Sequence, residues 1–146
     1  MGLQLEPAIQ DILAKVREIP DVQVFETERE AETSLTYTDE TFNPYIVVTF
    51  GAPVRAAYGR NIVSSRWDIN VMWMTAICVA PIASMARSIR DQVNDKLTEF
   101  VPTDAGPLQL SGGANYGSAN DLTDPVRYVS GTMFTFRHNL KNDISW

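Results

Sequence analysis

Cysteine and histidine are almost missing from this chain, with Cys78 and His138 the single examples in 146 residues. One cysteine excludes an internal disulfide framework, so folding does not depend on an oxidising compartment and cytosolic synthesis is the expectation. One histidine, with no Cys, Asp or Glu at ligand spacing, speaks against a zinc site. Long hydrophobic runs are lacking too. The most apolar stretch, Ile69 to Ile82, has 14 residues and contains Asn70, whereas a bilayer span needs about 20. The opening MGLQLEPAIQDILAKV has no basic segment leading into an apolar one, so a signal peptide is not expected. Positive charge is in deficit: 12 Lys and Arg stand against 18 Asp and Glu, a net charge of −6. Tight binding to a phosphate backbone needs the opposite balance.

What is present suits one globular domain. Hydrophobic residues make up 45% of the chain, too many for a disordered segment. A chain of this length buries roughly two-thirds of its unfolded surface. The charge is segregated. Glu26, Glu28, Glu30, Glu32, Asp39 and Glu40 face only Arg29 within 26–40, whereas 51–66 holds Arg55, Arg60 and Arg66 and no acid.

The elements follow from periodicity. Pro7 suits the first turn of a helix, and Ile9, Ile12, Leu13 and Val16 share one face until Pro20 stops it. A short strand is expected at 22–25. Between 26 and 43 four glutamates alternate with Thr27, Arg29, Ala31 and Thr33. An extended backbone would put all four carboxylates on one side, so an exposed arm or hairpin is expected. YIVVTF at 45–50 is apolar on both faces and reads as a central strand. After a loop from Gly51, residues 66–75 alternate, with Trp67, Ile69, Val71 and Trp73 expected on the buried side. Pro81 to Phe100 reads as a long helix with Ile82, Met85, Ile89, Val93, Leu97 and Phe100 in its stripe. A Gly/Asn/Asp/Ser-rich loop, a final aromatic strand at 126–137 and a polar tail at 138–146 complete the chain. This order predicts an α+β domain over 1–137: a mostly antiparallel sheet with two helices packed on one face, in two layers.

Catalytic constellations do not emerge. Cys78 lies in the apolar run TAICVAP and reads as a small buried hydrophobe. GGANYG at 112–117 is neither a dinucleotide nor a phosphate loop. Glutamates at strand spacing stand about 7 Å apart, too far to share a cation. Trp67 and Trp73 read as core, and the Arg55, Tyr58 and Arg60 patch as a protein contact. No enzyme, metal or cofactor is expected.

The ordered set of segments nevertheless resembles a known family. NPYIVVTFGA, SRWDINVMWM, MARSIRDQVNDKLTEF and RYVSGTMFTF, after an amphipathic helix and an acidic segment, are similar to the tail terminator (tail-to-head joining) proteins of long, non-contractile-tailed phages, the lambda U-protein-like family. The resemblance covers nearly the whole chain, which departs in its longer acidic segment and its C-terminal tail. It implies a structural virion protein at the tail-head junction, made in the host cytoplasm. Such a protein forms a hexameric ring that caps the tail tube, ends its polymerisation and meets the head connector. DNA passes through the lumen, and no membrane is involved. Heterologous ring contacts would draw on Glu26, Glu28, Glu30 and Glu32 and on Val54, Arg55, Tyr58, Arg60, Ile62 and Arg66, with Tyr116 and Trp146 as further candidates. The acidic arm would meet a neighbour's basic loop or line the channel. Another neck or tube ring protein, or a small-ligand-binding α+β module, stays open beside this reading.

Overall fold

The computed structural model describes residues 6–51, 54–55, 69–112, 117–118 and 127–139. Within them the chain forms helix α1 (Glu6–Val16), strand β1 (Gln23–Phe25), helix α2 (Glu28–Ser34), strands β2 (Tyr37–Thr38), β3 (Thr41–Phe42), β4 (Tyr45–Phe50), β5 (Val54–Arg55) and β6 (Ile69–Ala80), helix α3 (Ala83–Leu97), and strands β7 (Gln109–Gly112), β8 (Gly117–Ser118) and β9 (Tyr128–Asn139). The main sheet runs β1-β4-β6-β9-β7, with β5 also on β6 and β8 also on β9; β2 and β3 form a separate pair. Within the main sheet only β1 with β4 is parallel among the described strands. The protein is an α+β domain with a mostly antiparallel sheet.

The framework is the β6–β9 ladder, in register from Ile69 opposite Asn139 to Ala80 opposite Tyr128. One face of β6 carries Met72, Met74, Ala76, Cys78 and Ala80, all fully buried. Beneath it pack Ile12, Leu13 and Val16 of α1 and Ala86, Ile89, Val93 and Leu97 of α3. Each large side chain fully buried here stabilises by about 1.5–3 kcal/mol. A polar bridge crosses the same layer: buried Thr132 on β9 donates its hydroxyl to Asn94 Oδ1 of α3 at 2.7 Å. Outside the core, Lys96 of α3 reaches Glu18 just after α1 at 3.0 Å. Asp11 accepts from the Thr103 amide at 2.9 Å and from the Thr103 hydroxyl. Those two donors hold the Asp11 carboxyl below its ordinary value.

The two expected helices do pack together on one face. Four expectations need correction. The segment 28–34 is helical rather than extended. The polarity of β6 is reversed: Trp73 is 40% exposed and Val71 half-buried, while the methionine side is the core. The cause lies towards the C-terminal end of the strand, where Ala76, Cys78 and Ala80 continue the Met72–Met74 face with small side chains that let α3 approach closely. Ile82 does not join the α3 stripe. It is the extended N-cap, and 54% exposed. Finally, β9 extends to Asn139, so His138 and Asn139, expected in the tail, lie in the strand; 140–146 lie outside the described residues. Trp67 and the rest of 56–68 lie outside the described residues.

The inverted face has a simple test in thermal or denaturant unfolding. Met74→Ala should cost about 2–4 kcal/mol through an unfilled cavity, whereas Trp73→Ala should cost about 1 kcal/mol. Thr132→Val should cost about 1–2 kcal/mol because it strands the Asn94 side chain.

Candidate functional site

The acidic segment is a built unit. Thr27 is extended (φ −143°, ψ 155°) and its hydroxyl accepts from the Glu30 amide at 3.0 Å. The Glu30 carboxylate turns back to accept from the Glu26 amide at 3.1 Å. This is a variant of the capping box, in which Thr-x-x-Glu satisfies orphan amides at a helix start. Acids in that first turn also complement the positive helix end. The four glutamates therefore do not form one ladder. Glu30 is spent on the cap, and Glu28 and Glu32 lie one turn apart. Ala31 is the buried residue of α2, only 2% exposed.

A hairpin follows at once. Tyr37 pairs with Phe42 and Thr38 with Thr41, and the two turn residues, Asp39 and Glu40, have φ of 52° and 67°. Positive φ at both positions is the type I′ form of a two-residue hairpin, normally met by Asn-Gly. Here two acids occupy them, at about 1 kcal/mol or more each. Tyr37 beside the turn is 57% exposed.

This unit is fastened to the second face of the sheet. Phe25, Ala31, Phe42, Tyr45, Val47 and Val79 form a buried cluster distinct from the main core. Tyr45 takes Phe25 and Phe42 edge-on, with centroids 5.9 and 6.1 Å away. The Arg127 guanidinium stands over the Phe42 ring at 5.5 Å and donates to the Tyr45 hydroxyl at 3.1 Å. Burial raises the Tyr45 phenol above its ordinary value; the Arg127 charge opposes this, and the charges of Glu28 and Glu32 add to it. The structure thus gathers Glu28, Glu32, Tyr45 and Arg127 around one anchor.

Among the described residues the other half of that face is not covered in the same way. Trp73 stands there with Thr75, Met133 and Thr135, all of them partly or largely exposed. At its margin lies a cleft of about 270 Å³ lined by Val71, Gly106, Pro107, Gln109, Thr135, Phe136 and Arg137. The Gly106 amide donates to the Arg137 carbonyl at 2.8 Å, joining two of the residues that line the cleft.

Of the expected contact residues, Val54 and Arg55 form β5, paired with Val71 and Asn70. Tyr58, Arg60, Ile62, Arg66, Tyr116 and Trp146 lie outside the described residues. Arg127, Arg137 and the exposed Trp73 are surface features that periodicity does not single out. A lone base ahead of the aromatic strand RYVSG is the available hint for Arg127. Cys78 is fully buried, and burial pushes its thiol up to about 12, far from the thiolate that nucleophilic chemistry requires. Among the described residues no three His, Cys, Asp or Glu side chains are grouped to hold a metal ion. No helix among them is long and apolar enough to cross a membrane. Against known proteins, no family model matches the chain and no curated protein matches it.

Two substitutions probe the acidic unit. Thr27→Ala should remove the α2 cap and lower stability by about 1 kcal/mol. Asn-Gly in place of Asp39–Glu40 should raise it by about 1 kcal/mol. Chemical denaturation measures both, and equal effects in the same direction would refute the strained turn.

Proposed function

We propose that this chain is a structural protein of a long-tailed phage virion, acting at the tail-head junction. As a hexameric ring it caps the tail tube, ends polymerisation of the tube protein and presents a surface to the head connector. DNA contacts the ring only in passage.

One observation carries this reading: a single subunit offers two unlike patches on the same sheet face. One half bears the fastened acidic unit, and the other bears Trp73 and the Arg137 cleft. Closed rings are built from contacts of this heterologous kind, in which each patch meets a different one on the next copy. The order of elements adds support to this reading: helix, strand, acidic segment, central strand, long strand, long helix, closing strand. Apolar contact supplies most of the free energy in such an interface. Exposed ion pairs add only about 0–1 kcal/mol each and set the register.

A small-ligand module is favoured by the cleft alone. At about 270 Å³ it falls just below the range of roughly 300–1,000 Å³ that holds most small molecules.

Tail length decides the question. Blocking synthesis of this protein during infection should yield over-long tubes without heads, seen by electron microscopy. Headed tails of normal length would refute the capping role. Light scattering should show a shift towards six copies as concentration rises.

A further inference from the structure

Residues 26–43 leave the sheet after β1 and return to it at β4, and little of their surface is buried on the way. From 26 to 41 Ala31 is buried, Leu35 is half-buried and the other side chains are exposed. Phe42, 1% exposed, then roots the segment. The two structures inside it are too short to stand alone. α2 has seven residues, whereas an isolated helix in water needs roughly 12–15. β2 and β3 share two residue pairs, and a two-stranded hairpin without further support is marginal at best. Both exist only while Ala31 and Phe42 are docked in the cluster with Phe25, Tyr45, Val47 and Val79.

One contact works for that docking and one feature works against it. Arg127, immediately before β9, reaches over the Phe42 ring at 5.5 Å and donates to the Tyr45 hydroxyl at 3.1 Å. Against it stands the turn, where Asp39 and Glu40 hold positive φ without glycine. The neck is narrow. The Asn43 amide donates to the Thr36 carbonyl at 3.0 Å, and the Thr36 amide donates to Gln23 Oε1 of β1 at 3.3 Å. The main core beneath α1 and α3 shares no buried residue with this cluster.

We propose that residues 26–43 are a flap that undocks and melts as one unit while the β6–β9 ladder and its helices stay folded, with Arg127 as the bolt that holds it shut. Opening has no half-way state, because neither α2 nor the hairpin survives once Ala31 and Phe42 leave the cluster. It bares Tyr45, Val47 and Val79 on the second sheet face. The chain thus carries an apolar surface that solvent reaches only in the open form. Segments with few buried apolar contacts are the ones that open first in a native protein. The device belongs to the single subunit and does not rest on the ring reading.

Hydrogen exchange in the full chain tests this, followed amide by amide by NMR where the opening equilibrium limits exchange. The Ala31 amide of α2 and the Asn43 amide of the hairpin, both hydrogen-bonded, should share one opening constant. It should exceed that of Thr75 to Cys78 in β6 by roughly a hundredfold or more. Arg127→Gln should raise the flap constant about tenfold. Asn-Gly in place of Asp39–Glu40 should lower it about fivefold at Ala31 as well as at Asn43, and Thr27→Ala should raise it at both. Thr132→Val breaks a contact to Asn94 that the open form keeps. It should speed exchange in β6 roughly fivefold or more and leave the flap unchanged.

Equal protection of the flap and β6 overturns the proposal, as does a turn substitution that moves Asn43 and leaves Ala31 alone. So does a Thr132→Val variant whose flap exchanges faster in step with β6. A folded Arg127→Gln chain with unaltered flap exchange removes the bolt. Thr27, Asp39 and Glu40 are exposed, so the cap and turn variants decide the matter if Arg127→Gln does not fold.

Discussion

The β6–β9 ladder is the constraint on which the other elements depend. Its twelve paired positions set one alternation of side chains for the entire sheet, so the choice of which face meets α1 and α3 is made once. Met72, Met74, Ala76, Cys78 and Ala80 make that choice together with Phe134 and Phe136. A shift of one residue in the ladder would send the methionines outward and bring Trp73 under the helices. Small side chains at 76, 78 and 80 leave room for α3, and the bulkier methionines and phenylalanines fill the space towards Leu108.

The second face is divided, and the division follows from charge and covering. At one end α2 and the β2–β3 hairpin seal an aromatic cluster, with Arg127 held against Phe42 and Tyr45. The Phe42 ring face and the Tyr45 hydroxyl are what receive the guanidinium there. At the other end no comparable layer lies over Trp73 among the described residues.

Much of the architecture can be read from periodicity. The bounds of β4 are plain because six residues, all apolar but Thr49 and largely β-branched, stand between Pro44 and Gly51, and the stripes of α1 and α3 include the buried Ile12, Leu13 and Val16 and the buried Ile89, Val93 and Leu97. Three features are hidden. The alternation at 26–33 has no apolar partner to require a strand, and the Thr27–Glu30 pair that signals a helix start is outweighed by the row of acids. The face of β6 is misjudged when tryptophan is ranked above methionine as a core residue, although side chains at the end of the strand settle the matter. Arg127 and Arg137 join their surfaces only through tertiary placement, which no local spacing reveals.

The parallel pairing of β1 with β4 has its own consequence. Strands joined in this sense need a long connection, and here the whole of α2 and the hairpin is that connection. Its two ends are tied: the Gln23 amide donates to the Pro44 carbonyl at 3.2 Å, and Thr36 and Asn43 hydrogen-bond each other between them. The acidic unit is therefore a self-contained excursion from the sheet, closed at its root. A change in its length would leave the register of the ladder beneath untouched, because its ends close on β1 and β4 and not on the β6–β9 pair.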